Sequence, residues 1–170
     1  MRLRTLYRLT GTTFVLAIAI AFALAVAAGC GSRPGSPEEL YARIAEYNAA
    51  GETGKIWDLL TEDARQRQID AYDGFRKALA KNPGTEGLLK QYRCTKEEFM
   101  TLPYVEIYRR ENIGNERAFD GAEIKQKHSD PMRPGDQILE VVNALGTTFY
   151  VRMRPVAKGW GLVEISPRGK

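Results

Sequence analysis

Histidine and cysteine are nearly absent, with one His and two Cys in 170 residues. So few nitrogen and sulfur ligands cannot supply a recognisable zinc set, and the scattered carboxylates lack the spacing of a calcium loop. No phosphate-cradling glycine loop and no nucleophile elbow occurs. The longest apolar run, Phe14 to Ala28, has fifteen residues, short of the roughly twenty that a permanent spanning helix needs. No metal and no cofactor are therefore expected.

What is present begins with that apolar run. Arg2, Arg4 and Arg8 precede it without an acidic residue, the small residues Ala27, Ala28 and Gly29 close it, and Cys30 follows. A positive start, an apolar middle and a small-residue site form an export signal that is cut away. The segment resembles a bacterial lipoprotein signal, with a lipobox at Ala27, Ala28, Gly29 and Cys30. Ala27 stands where such boxes usually carry Leu or Val, and Val26 lies one residue earlier. A plain secretory signal with an incidental Cys is the alternative. The resemblance implies that residues 1–29 leave as a signal peptide and that the Cys30 sulfur carries a diacylglyceryl group, often with a further acyl chain on the new amino group. One acyl chain binds a membrane marginally and two hold stably, so no second hydrophobic segment is required. The domain is then expected outside the cytoplasm, on the cell membrane or the outer membrane. Gly31 and Ser32 lack the aspartate that resembles an inner-membrane retention signal, which favours the outer one.

Removing the signal also changes the charge. The whole chain has 25 basic and 21 acidic residues; without Arg2, Arg4 and Arg8 the basic count falls to 22. A nearly neutral domain offers no long-range field for nucleic acid, so no nucleic-acid partner is expected. With Cys30 acylated, Cys94 is the only remaining thiol and reads as a small apolar side chain in a packed core.

Residues 30–36 read as the lipidated Cys and a short tether, spanning at most roughly 20 Å, and 37–170 as a single domain. Its first half is helical and its second half strand-rich, which predicts an α+β fold. Ser36, Pro37 and Glu39 form a capping box for a helix carrying Leu40, Ile44 and Tyr47 on one face, closed by Gly51. Ile56, Trp57, Leu59 and Leu60 form a short apolar turn. Thr61 caps a longer helix bearing Tyr72, Phe75 and Leu79 that stops at Asn82, Pro83 and Gly84. Thr95 with Glu98 is a second capping box. After residue 110 the period becomes two, with strands predicted over 116–128, 137–144, 147–156 and 160–165, joined as an antiparallel meander.

This layout resembles the nuclear transport factor two-like, or cystatin-like, cone fold, in which helices pack on a curved antiparallel sheet. Three stretches carry the resemblance: the helix at 37–50, the segment Gly51 to Leu60 before Glu62 and Asp63, and the last hairpin, Val151 to Ile165, with Lys158, Gly159 and Trp160 at its turn. The family hosts dehydratases, isomerases, ligand binders and interaction modules, so the site must choose among them.

The family's enzymes often use Asp with His, and here His128 is the only histidine. It lies in a polar, loop-like setting that predicts a solvated side chain and no catalytic base. Glu140 shares a predicted strand face with Ile138 and Val142, and Glu164 shares one with Trp160 and Leu162. Either acid is a candidate ligand-binding group in an apolar cavity, or a solvated rim residue. Lys125, Lys127, Arg152 and Arg154 would form a basic stripe if their strands pair, or ordinary solvated faces. The expected function is that of a membrane-anchored envelope lipoprotein whose domain, without catalysis, contacts an envelope protein partner or holds a small apolar ligand. A dehydratase or isomerase using the cone cavity, and a structural or assembly factor at the membrane surface, are the alternatives.

Overall fold

The structure, a computed structural model, describes residues 33–113 and 119–167. The first helix, α1 (Pro37–Ala49), starts where the sequence places it: Ser36 Oγ accepts the N–H of Glu39 at 3.1 Å and Pro37 opens the helix. The reciprocal half of the capping box is displaced by one residue. The Glu39 carboxylate accepts the Gly35 N–H at 2.7 Å instead of that of Ser36. Gly51, at φ +70, ends the helix in the left-handed conformation that a Cβ disfavours. Leu40 and Ile44 are fully buried, and Asn48 is buried with its amide donating to the Ile44 carbonyl at 3.2 Å.

The chain upstream of α1 is docked. Arg33 donates to the carbonyls of Leu59 and Leu60, Pro34 is buried, and the Trp160 N–H donates to the Pro34 carbonyl at 2.9 Å. The stretch expected to be tether through residue 36 is thus fixed from Arg33 onward. Two glycines make room for it: a Cβ at Gly159 would collide with the Pro34 carbonyl oxygen, and one at Gly161 would stand 2.8 Å from Arg33 Nη1.

A 3-10 turn (Thr53–Lys55) leads into α2 (Ile56–Leu59), whose Ile56, Trp57 and Leu59 are buried. Leu60 then bridges Leu162, and the Thr61 N–H donates to the Leu162 carbonyl at 2.8 Å. Thr61 also caps α3 (Glu62–Lys81), accepting the Ala64 N–H, with Glu62 and Asp63 complementing the helix dipole. Beyond Asn82 the chain forms a 3-10 run, Pro83–Tyr92, ten residues long where three or four are common. Short helices α4 (Lys96–Thr101) and α5 (Tyr104–Glu111) follow, α4 opening on the Thr95–Glu98 capping box with both halves formed.

Strands β1 (Glu123–Ser129), β2 (Gln137–Val142), β3 (Thr148–Val156) and β4 (Gly159–Pro167) pair antiparallel in chain order. The meander is as predicted, except that the first strand begins at Glu123. Residues 119–122 form a turn, and 116–118 lie outside the described residues. Two bulges interrupt the ladder, at Lys125 in β1 and at Val163 in β4. Leu139, Val141, Val151, Met153 and Leu162 share one sheet face and join Leu40, Leu59, Leu79, Phe99 and Ile107 in one core. Phe75, Tyr92 and Phe99 stack within it at centroid distances of 4.8–5.7 Å. Helices over one face of a four-stranded antiparallel sheet make this an α+β fold.

Candidate functional site

On α3, Ala64, Arg67 and Gln68 stand three and four residues apart, so they share a helix face. Tyr108, Glu111 and Asn112 repeat that spacing at the end of α5. Across from them β4 runs from Leu162 to Ile165. The three elements, with Leu60, enclose a cleft of about 690 Å³, within the size range of small-molecule sites. Leu60, Ala64, Leu162 and Val163 are buried beneath it and, with Ile165, show it little apolar surface; Arg67, Gln68, Glu111, Asn112 and Glu164 make most of its exposed lining polar, with charges of both signs.

Several of these groups are positioned by their neighbours. Arg67 donates to Asp63 Oδ2 at 2.8 Å and to the Val163 carbonyl at 3.4 Å, which holds the guanidinium between α3 and β4. The Asn112 amide donates to the Tyr108 carbonyl at 2.8 Å. The Tyr72 hydroxyl donates to Glu111 Oε2 at 2.5 Å; burial and this carboxylate push its pKa far above the usual tyrosine range. Burial, then the Glu111 charge, pushes Tyr108 up to about 12. Both phenols are thus held protonated beside an exposed carboxylate. Such a set can grip a polar ligand through hydrogen bonds and charge.

Glu164 borders the cleft, but not as the strand alternation predicts. The bulge at Val163 puts Leu162 opposite Met153 and Glu164 opposite Arg152, so Glu164 leaves the face of Trp160 and Leu162. Its carboxylate lies 3.5 Å from Arg152 Nη1. Glu140 does keep company with Ile138 and Val142, on the sheet face away from the helices, opposite Gln126 and Tyr150. It takes no part in the cleft. His128 is exposed on β1, opposite Ile138. Cys94 is half-buried against the core, and burial pushes its thiol pKa up, away from the reactive thiolate. Cys30 and the signal segment lie outside the described residues.

The strands of the four basic residues do not pair with each other, because β2 lies between β1 and β3, and each residue is neutralised. Lys125 meets Glu123 and Lys127 meets Glu38 at 2.6 Å. Arg152 Nε stands 3.0 Å from Asp130 Oδ2, though its N–H is misdirected and neither atom has a hydrogen-bond partner. Arg154 pairs with Asp136 and Asp63. They do not form an open cationic stripe.

Arg67, Gln68, Glu111 and Asn112 escape the sequence reading because charged and amide residues on an amphipathic helix look like solvated surface. The usable signal is the spacing of Arg67 and Gln68 from Ala64, a small residue that packs where a long one would fill the cleft. Among the described residues no cluster of His, Cys, Asp and Glu could hold a metal, and no helix is long and apolar enough to cross a membrane. The chain matches no known protein family, no curated protein and no solved structure.

Proposed function

We propose that this chain is an envelope lipoprotein, held to a membrane through acyl chains on Cys30, whose cone-like domain binds a small ligand in the cleft between α3, α5 and β4 without transforming it. The cleft is the observation that carries the binding half of this reading. Its exposed lining is mostly polar, with Arg67, Glu111 and Asn112 among its groups and only a little apolar surface between them, so the ligand is a small polar or charged molecule with at most a small apolar part. That makes the ligand more polar than the small apolar one expected from the sequence. The cone reading draws support from helices that cover one sheet face beside this cleft. Binding is favoured over acid–base chemistry because Glu111 and Glu164 are exposed to water and His128 lies on the far edge strand. The anchoring half rests on the arginine start, the apolar run and the Ala-Ala-Gly-Cys sequence.

The test is native mass spectrometry of the purified protein after incubation with a small-molecule extract of the source cells. Wild type is expected to carry a non-covalent adduct that Gln68→Trp, which fills the cleft from a half-exposed position, loses. Identical spectra for the two proteins would remove the cleft from the proposal.

A further inference from the structure

The seven residues Asp130 to Asp136 join β1 to β2 in a closed loop. The Asp130 N–H donates to the Asp136 carbonyl at 3.0 Å, Asp130 Oδ1 accepts the Met132 N–H at 2.9 Å, and the Asp136 N–H donates to the Arg133 carbonyl at 3.0 Å. The two acids at its feet are 4% and 3% exposed and face Arg152 and Arg154. What this rigid base holds out is Pro131, Met132, Arg133 and Pro134, all exposed, with Met132 at 89% the most exposed large apolar residue described. An unstructured loop would let such a side chain fold back; this one is held in water.

The meander sets what lies beside the loop. β1 runs toward it and β2 away, β3 returns, and the β3–β4 turn at Ala157 and Lys158 therefore sits at the same end of the sheet. The Arg154 to Asp136 pair joins the two directly. Arg133 and Lys158 at this end are exposed and have no carboxylate partner among the described residues. Pro34 docks here as well, against Gly159 and Trp160. Only two residues, Gly31 and Ser32, lie between Cys30 and Arg33, a reach of at most about 11 Å.

We infer that this end of the sheet is a second membrane contact, in which Met132 enters the headgroup region of a phospholipid bilayer while Arg133 and Lys158 meet anionic lipid phosphates. The inference rests on acylation of Cys30, because that short reach is what brings this end, and not the opposite one, to the lipid. The acyl chains hold the domain at the surface but do not fix which side of it faces the lipid, which a protein-borne contact does, and a half-buried Trp160 fits the same interfacial zone.

The experiment uses the full chain, acylated in cells and reconstituted into phosphatidylethanolamine–phosphatidylglycerol vesicles with bromine on the acyl chains. Met132→Trp and Leu145→Trp each add a fluorophore at an exposed loop tip, at opposite ends of the sheet, where neither disturbs the core. The expected result is loss of the emission added at position 132 and none at position 145. Equal quenching at both, or none at 132 in protein that still floats with the vesicles, overturns the orientation and leaves the anchor standing; a surface that binds another protein would give the latter. Protein that does not float overturns the anchor, and the orientation with it.

Discussion

Arg154 grips Asp136 through two parallel hydrogen bonds, Nε to Oδ1 at 2.8 Å and Nη2 to Oδ2 at 3.0 Å, and spends its remaining nitrogen on Asp63 at 3.0 Å. One guanidinium thus ties the β1–β2 loop, the third strand and the start of α3 together. The planar fork matches the carboxylate, and a lysine could not reproduce the two parallel bonds while also reaching Asp63.

The two acids are not equivalent. Asp136 is 3% exposed and Asp63 44%. Removing the partner of a fully buried charge costs about 3–5 kcal/mol, and Arg154 is 30% exposed, so Asp136→Ala is expected to cost about 2 kcal/mol. Asp63→Ala is expected to cost about 1 kcal/mol or less, since exposed pairs contribute little. Urea unfolding of the two variants beside wild type measures both, and equal losses would mean that burial is not what distinguishes the pairs.

Gly159 and Gly146 both sit at positive φ, +132 and +75. At Gly146 nothing stands within 4 Å of an added Cβ, so Gly146→Ala carries backbone strain alone, about 1 kcal/mol. At Gly159 the new atom meets the backbone of Pro34 and Arg33 as well. Gly159→Ala is expected to cost at least about 2 kcal/mol, or to expel the docked segment. Hydrogen exchange separates those outcomes, because expulsion exposes the Trp160 amide that now donates to Pro34.

Glu106 accepts hydrogen bonds from Arg109 and Arg110, and the two guanidinium groups hold its pKa at about 2, below its ordinary 4.5. A carboxylate depressed in the folded state stabilises the fold above its unfolded pKa, and that contribution fades as pH falls from about 4.5 toward 2. The urea midpoint of wild type is therefore expected to exceed that of Glu106→Gln at pH 6, and the gap to close over that window. A gap independent of pH would assign the effect to packing.

Local chemistry made much of the fold legible. Thr61 and Thr95 with Glu98 announce helix starts through bonds formed within three residues, and the alternation of Val151 and Met153 with Arg152 and Arg154 reports a sheet with one buried face. What depends on pairing was not legible. The bulge at Val163 reverses the face of Glu164, and no local pattern in Gly161 to Ile165 encodes it. The 3-10 run of residues 83–92 has no cap signature before it beyond Asn82, Pro83 and Gly84, which read as a stop. The cleft arises from the meeting of three distant segments, α3, α5 and β4, so only Glu164 among its polar residues was in view. The docking of Arg33 and Pro34 depends on glycines more than 120 positions away.

Acylation of one sulfur is the premise on which membrane placement and orientation both depend. Intact-mass analysis and fractionation of the protein from its own cells test it most directly. The mature chain is expected to begin at Cys30 with the added mass of a diacylglyceryl group, and Cys30→Ser is expected to leave the membrane fraction. A chain that still begins at Met1, or a serine variant that stays with the membrane, would contradict it.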